Sequence, residues 1–178
     1  MRNLISGFFL VAAVITQGSM ALSLPESSVT IHGHGFGFGG TRIDGKSAAV
    51  SVEQNASTLT FTVPIAPIAT GIDMRDRHLR EILEAEKYPA AVLRVSREEL
   101  RFPKPGEPAR GVVKGELVLH GQSRMVETTY QAQLGATGRT RVRGSLQIDV
   151  RDFEIRYPSY LGAGIAPEVE VELEVELP

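Results

Sequence analysis

Glu168-Val169-Glu170-Val171-Glu172-Leu173-Glu174-Val175-Glu176-Leu177 is the stretch of sequence that determines the fold class. Five glutamates alternate in it with five aliphatic residues, without exception. Only an extended strand places alternate residues on opposite faces, so one side must face water and the other a core. Five carboxylates on one side need cationic neighbours on the next strand. We expect Arg141, Arg143 and Arg151, on and just after the preceding strand, to supply them.

The same period-two pattern recurs earlier in the chain. It covers the segments Leu59 to Ile65, Val113 to Leu119 and Val126 to Leu134. Turn-forming residues lie between such segments, including Asp44-Gly45, which predicts a tight hairpin, and the proline-rich loop 103–108. About eight mostly antiparallel strands at this spacing predict an all-β protein, either a barrel or a sandwich.

One short helix interrupts the strands, over about residues 74–86. Asp73 is placed to cap its first turn, and Asp76 suits the positive end of the helix dipole. Pro89 cannot continue a helix and therefore ends it. The sequence predicts a single helix of about three turns in a β protein.

The first 21 residues have the features of a secretory signal peptide. A basic start at Met1-Arg2-Asn3 precedes an apolar stretch from Leu4 to Ile15 and the small-x-small site Ser19-Met20-Ala21. The apolar stretch is short for a membrane span, which needs about 20 residues. We expect cleavage after Ala21, a mature domain over residues 22–178 that does not span a membrane, and a periplasmic or secreted location.

Composition narrows the function classes further. The chain has 178 residues, a net charge of −2 and no cysteine, so disulfides, thiolate chemistry and lipid-modified cysteines are excluded. This slightly negative net charge, with no cluster of basic residues along the sequence, argues against nucleic acid as a partner. The sequence predicts no cofactor, and it is compatible with a homodimer.

Three sequence blocks carry a resemblance to a known family. They are Arg75-Asp76-Arg77-His78-Leu79 followed by Lys87-Tyr88-Pro89, then Gly115-Glu116-Leu117-Val118-Leu119-His120-Gly121, and finally Asp152-Phe153-Glu154-Ile155. With these blocks the chain resembles the YceI-like family of secreted, lipocalin-like lipid-binding proteins. The resemblance implies an antiparallel lipocalin-like β-barrel that holds a long apolar molecule, such as a polyisoprenoid, a quinone-like lipid, or a fatty-acyl amide or acid. The resemblance favours a closed or nearly closed barrel. The family's first strand is shortened here, around Glu26-Ser27-Ser28, which leaves open whether the barrel closes fully.

Under this hypothesis, aromatic and aliphatic side chains line the interior of the barrel. The candidates are Phe36, Phe38, Phe61, Leu83, Val92, Tyr130, Phe153 and Tyr160. Arg75 and His78 would lie near one mouth, where the helix acts as a lid. A barrel of about eight strands is wide enough either for its own side chains or for one elongated ligand.

Two other functions are open at this point. One is a filled barrel that acts without a ligand, as a stress-related envelope interaction protein. The other is a metal-dependent enzyme that uses His32 and His34, which share one face of a strand but need a third ligand. The nearby Gly35 to Gly40 segment fits the dinucleotide pattern G-x-G-x-x-G, but a turn and not a helix follows it, so we assign it no nucleotide. No nucleophile motif and no P-loop is present, which favours a binding protein.

Overall fold

The computed structural model of this protein describes residues 27–36, 40, 42–156, 159–160 and 163–177. The predicted signal peptide and Phe38 lie outside the described residues. No helix within the described part of the chain is both long and apolar enough to cross a membrane.

The described residues form an antiparallel sheet of eleven strands, some of them very short, with one α-helix. The strands are β1 (Ser28–Phe36), β2 (Arg42–Ser47), β3 (Ser51–Gln54), β4 (Thr58–Pro64), β5 (Ala90–Ser96), β6 (Ala109–Leu119), β7 (Gln122–Leu134), β8 (Thr140–Asp149), β9 (Ser159–Tyr160), β10 (Ala163–Ile165) and β11 (Glu168–Leu177). The helix α1 spans Asp73–Ile82, and two short 3₁₀ turns span Arg97–Glu99 and Val150–Phe153.

The sheet curls into a lipocalin-like half-barrel. Its strands follow the order β3-β4-β5-β6-β7-β8-β11-β1-β10-β9, and β2 pairs with the other side of β1. The two ends of this order, β3 and β9, do not pair with each other in the described ladders. The predicted antiparallel, lipocalin-like fold with one short helix is confirmed. The number of strands exceeds the eight that we predicted, because β3, β9 and β10 are too short to leave a periodic signal.

The glutamate side of β11 lies against the arginines of β8, as predicted. Arg141 Nε is 3.6 Å and Arg143 Nε is 3.2 Å from the two carboxylate oxygens of Glu174. Arg151 Nη2 lies 3.7 Å from Glu168 Oε1 at the other end of the strand. Opposite charges on neighbouring strands therefore stabilise the outer face, while Val175 beneath them is fully buried.

The helix differs from the prediction at both ends. Ile72 and not Asp73 occupies the N-cap, and it makes no side-chain cap. Asp76 instead ties the helix to the segment before it, because its Oδ1 accepts hydrogen bonds from the backbone N and the hydroxyl of Thr70, at 2.7 and 2.6 Å. The helix ends at Ile82 rather than near residue 86, since Glu84 takes a left-handed φ of 46° and turns the chain.

One local prediction was wrong. Asp44-Gly45 does not form a hairpin turn but lies within β2, opposite Ile31 and His32 of β1. A Cβ at position 45 would stand 3.0 Å from the Ile68 side chain, so a larger residue there would require Ile68 to shift. His120 lies just beyond the end of β6. It follows the last residue of that strand with a left-handed φ of 51°, which turns its side chain inward.

Candidate ligand-binding cavity

The half-barrel forms a partly open chamber beneath the helix, which we call the helix-side chamber. Its volume is about 210 Å³. The described residues that line it are all apolar: Val29, Ile31, Phe61, Val63, Ile65, Ile68, Leu79, Ile82, Leu83, Ala91, Leu93, Leu117, Leu119, Leu146, Ile148, Val150, Ile155, Ile165, Ala166, Val169, Val171 and Leu173. A wall of this kind gives a ligand no hydrogen-bonding group, so it suits only the hydrocarbon part of a molecule.

The helix contributes one wall of the helix-side chamber. Leu79, Ile82 and Leu83 lie on the side of the helix that faces the sheet, at the spacing of adjacent helical turns. The opposite side of the helix is charged and exposed, and no residue of α1 is fully buried. The helix therefore closes the chamber by packing a narrow apolar stripe against it.

A second chamber, the loop-side chamber, lies at the other end of the half-barrel and has a volume of about 200 Å³. Its wall is mixed. Apolar side chains from the strands form most of it, and the polar members are Gln54, Arg97, Arg101, Thr128, Tyr130 and Thr140. This chamber can therefore hold a polar group as well as hydrocarbon.

The two chambers adjoin at a waist formed by Phe61, Leu93, Leu146 and Leu173, which line both of them. Each of these residues comes from the middle of a different strand. The two chambers together reach the lower part of the volume range of small-molecule sites, about 300–1,000 Å³. Their arrangement, end to end through the half-barrel, suits an elongated molecule.

Contacts at both ends hold the helix over its chamber. At the start, the bonds from Thr70 lower the pKa of Asp76 and keep its carboxylate charged. After the end, the Tyr88 ring lies 4.7 Å from the His120 ring, centroid to centroid. His120 Nδ1 is 3.0 Å from the Phe153 carbonyl oxygen, and its Nε2 is 3.3 Å from Glu84 Oε1. Residues from all three family-like sequence blocks thus meet around the helix.

Three of the predicted interior residues line the chambers. Phe61 lies at the waist, Leu83 lines the helix-side chamber, and Tyr130 lines the loop-side chamber. Phe153 is only 1% exposed, but it belongs to the packed core and does not line either chamber. Contact between these residues and a ligand stays a prediction.

Val92 was assigned to the interior wrongly. Its neighbours Ala91 and Leu93 both line the helix-side chamber, so the side chain between them projects to the outer face of β5. Leu93 is the residue that belongs at this position of the interior. The alternation of Arg94 and Val95, which follow it, is the sequence signal that could have shown this.

The remaining predicted site residues are not at the chamber walls or are not described. Arg75 and His78 are exposed on the helix and line neither chamber, so their predicted position near a mouth stays a prediction. The backbone of Phe36 pairs with Gly164, and the backbone of Tyr160 pairs with Ala163. The side chains of Phe36 and Tyr160, and all of Phe38, lie outside the described residues.

His32 takes part in a polar cluster on the outer face of the half-barrel. Its Nδ1 lies 2.7 Å from Asp44 Oδ1, which also accepts a hydrogen bond of 2.7 Å from Arg42 Nε. These two partners, Arg42 first, lower the pKa of Asp44 to about 2. His34 is exposed, and in the described part of the chain no three His, Asp or Glu side chains are grouped to hold a metal ion.

The strand topology and the two internal chambers define the protein as a lipocalin-like antiparallel half-barrel. The model of the YceI-like domain matches residues 21–177, and the chain belongs to this family. No curated protein sequence matches the chain.

Solved structures support the same fold. One is a polyisoprenoid-binding domain from Saccharophagus degradans implicated in plant cell wall breakdown, with 17% identity and a TM-score of 0.67, covering 85% of this chain and 98% of that chain. Another is BcnA from Burkholderia cenocepacia, with 17% identity and a TM-score of 0.63, covering 85% of this chain and 96% of that chain. At this level of identity the likeness concerns the fold alone.

Proposed function

We propose that this protein binds one long apolar molecule, a polyisoprenoid, quinone-like or fatty-acyl lipid, within the two chambers. The observation that carries the proposal is the helix-side chamber, which is lined only by apolar residues among those described. A packed core has few voids larger than a water molecule, so a space of this size beneath a helix requires an explanation.

The energetics favour a chain-like hydrocarbon as the occupant. Water gains nothing in a chamber without hydrogen-bonding partners, and the wall atoms of an empty chamber lack dispersion contacts. Each methylene group moved from water into such a space contributes about 0.8 kcal/mol. A nearly insoluble lipid would therefore be held without any specific polar contact.

The family and its relatives support this choice of ligand. The Saccharophagus degradans domain of the same fold is described as polyisoprenoid-binding. The described wall of the two chambers contains no histidine, aspartate or glutamate that could act as an acid or base on a ligand. We therefore propose a binding protein rather than an enzyme.

We further propose that the protein is exported, on the strength of the signal-like segment at residues 1–21. Export is useful to such a protein because lipids that are insoluble in water need a carrier to cross an aqueous compartment. Fractionation of cells that express the full chain, followed by N-terminal sequencing, tests this point. We expect a chain that begins at residue 22 in the periplasm or the medium, and an unprocessed cytosolic chain would contradict it.

The binding proposal is tested by gentle purification, organic extraction and mass spectrometry of the extract. We expect about one apolar molecule per chain. Ala91→Phe, which adds a ring inside the helix-side chamber, should abolish the co-purifying lipid. Val112→Phe is the matched control, because it adds the same ring at a position that is 61% exposed.

The competing function, an interaction protein that needs no ligand, leads to a different result. In that case the extract would contain no stoichiometric lipid, and the delipidated protein would not bind a hydrophobic fluorescent probe. Ala91→Phe would then behave like Val112→Phe in both measurements. This outcome would overturn the proposed function.

A further inference from the structure

We propose that the ligand is a single-chain amphiphile with an anionic head group, whose head occupies the loop-side chamber and whose tail passes the waist into the helix-side chamber. This inference rests on the proposed function and adds the chemical class and orientation of the ligand. It follows from polar groups that line one chamber only and whose hydrogen-bonding or ionic capacity the described residues leave partly unused.

The first of these groups is the hydroxyl of Thr128. Thr128 is 6% exposed and lines the loop-side chamber, and its Oγ1 has no hydrogen-bond partner among the described residues. Its cross-strand neighbours are Val113 and Leu146, which offer none. A buried hydroxyl without a partner destabilises a protein, and such groups are rare in native structures unless something else satisfies them.

A second hydroxyl, that of Tyr130, lies two residues further along the same strand and lines the same chamber. It accepts a hydrogen bond of 2.7 Å from the backbone N of Arg101. Its own O–H hydrogen has no acceptor among the described residues and can be donated to a ligand. Because strand residues two apart project from the same face, both hydroxyls serve the same chamber.

Two arginines without carboxylate partners add positive charge at this chamber. Arg97 and Arg101 line it, and neither forms an ion pair with a described residue. The guanidinium of Arg97 donates to the Asn55 carbonyl at 3.2 Å and lies 5.3 Å above the Phe102 ring. Elsewhere on the sheet, Arg94 and Arg139 each have a glutamate within 3.3 Å.

The nearest acidic residues in sequence do not cancel this charge inside the chamber. Glu98 and Glu99 belong to the same 3₁₀ turn as Arg97, but both are exposed and neither lines the chamber. Arginine recognises carboxylates and phosphates with paired, charge-assisted hydrogen bonds. The polar members of the chamber therefore match an anionic head group better than a neutral one.

The other chamber fixes the orientation of the ligand. Its described wall has no polar side chain, so burial of a charged head there would be strongly unfavourable. Only the hydrocarbon tail can lie beneath the helix. The head then lies between the Thr128 and Tyr130 hydroxyls and the two guanidinium groups.

The test compares anionic and neutral ligands of the same chain on the delipidated mature protein. Oleic acid is paired with oleyl alcohol, and geranylgeranyl monophosphate with geranylgeraniol, in titrations at low and high salt. We expect at least one anion to bind about tenfold more tightly than its alcohol, a difference of about 1.4 kcal/mol. If only oleic acid binds more tightly than its alcohol, the ligand is a carboxylate. If only geranylgeranyl monophosphate binds more tightly than its alcohol, the ligand is a phosphate.

The arginines are tested with the double variant Arg97→Gln/Arg101→Gln. In this variant the anion and its alcohol should bind with nearly equal affinity. Arg110→Gln/Arg124→Gln is the matched control, because it removes the same charge from exposed residues outside both chambers and should keep the difference in affinity. Equal affinity for anion and alcohol in the unmodified protein would overturn the inference while leaving the proposed function intact. A failure of all four ligands to bind would overturn both.

Thr128→Val gives a second readout that a structural role alone would not produce. It removes the unpaired hydroxyl but keeps the shape of the side chain, so we expect unchanged or higher thermal stability. The affinity for the preferred anion should fall several-fold at the same time. Unchanged affinity would contradict the placement of the head group in this chamber.

Discussion

The Tyr88 ring lies directly over Gly121, so that a Cβ on this glycine would stand 2.6 Å from Cε1 of the tyrosine. The contact joins the segment that follows the helix to the turn between β6 and β7. Gly121 also has a left-handed φ of 75°, which residues with a side chain rarely adopt. Position 121 therefore requires glycine for two reasons, its positive φ and the closeness of the Tyr88 ring.

We predict that Gly121→Ala destabilises the protein substantially, by more than the strain of the backbone alone. Gly138→Ala is the matched control, because Gly138 has a φ of 80° but nothing within 4 Å of its added Cβ. In the control, the free energy of unfolding should fall only by the cost of placing alanine at a positive φ, about 1–2 kcal/mol. Denaturant unfolding of both variants measures the difference, and equal losses would show that the Tyr88 contact is unimportant.

Asp76 is predicted to fix the beginning of the helix over the helix-side chamber. Asp76→Ala removes the acceptor for the backbone N and the hydroxyl of Thr70. The amide hydrogens of α1 should then exchange faster, and a bound lipid should dissociate faster because the helix forms one wall of its chamber. Hydrogen exchange with mass spectrometry checks the first effect, and unchanged exchange in α1 would contradict this role.

The control for that experiment is Asp73→Ala, at the first residue of the same helix. Among the described residues, Asp73 has no side-chain hydrogen bond comparable to those between Asp76 and Thr70, and the N-cap Ile72 has no side-chain cap. Asp73→Ala should change exchange in α1 only slightly, through the interaction of its charge with the helix dipole. Equal effects of the two substitutions would indicate a general charge effect instead.

The acid stability of the protein should depend on Asp44. Its pKa in the folded protein is about 2, against an ordinary value of 3.8, mainly because Arg42 and then His32 bind the carboxylate. The contribution to stability is complete above the ordinary pKa and is lost as the pH falls toward 2. Asp44→Asn should therefore be less stable than the unmodified protein at pH 6, and this difference should shrink between about pH 4 and pH 2.

Direct titration of the Asp44 carboxyl by NMR separates the causes of this shift. Arg42→Gln removes the largest cause and should raise the pKa of Asp44 toward its ordinary value. A pKa that does not move in this variant would contradict the contact, as would unfolding curves of Asp44→Asn and the unmodified protein that stay parallel down to pH 2.

The inward-facing residues could be predicted from the sequence for strands in which apolar and polar residues alternate. They could not be predicted for strands in which several apolar residues follow one another. Glu168 to Leu177 fixes its own inner face, because every second residue is charged. No polar residue is present in the run Ala90-Ala91-Val92-Leu93. Only the exposed Arg94 and the buried Val95 that follow show which of its residues face inward. Val92 shares the outer face of β5 with Arg94, two residues further on.

The polar part of the candidate site was missed for a different reason. Arg97 and Arg101 lie in a 3₁₀ turn and the loop after it, where no periodicity shows which way a side chain points. Thr128 follows the alternation of β7 correctly, but its lack of a partner depends on Val113 and Leu146 across the sheet. Such a property arises only from the assembled sheet and cannot be found in the sequence of one strand.

The most direct measurement of the central claim uses the absence of tryptophan from this chain. Phe61→Trp places a single fluorescent reporter at the waist between the chambers, and Val112→Trp places one on the outer face. We predict that a dibrominated stearic acid quenches the tryptophan at position 61, saturates at one molecule per chain, and scarcely affects the one at position 112. Equal quenching of both reporters, or none at position 61, would contradict a lipid inside the half-barrel.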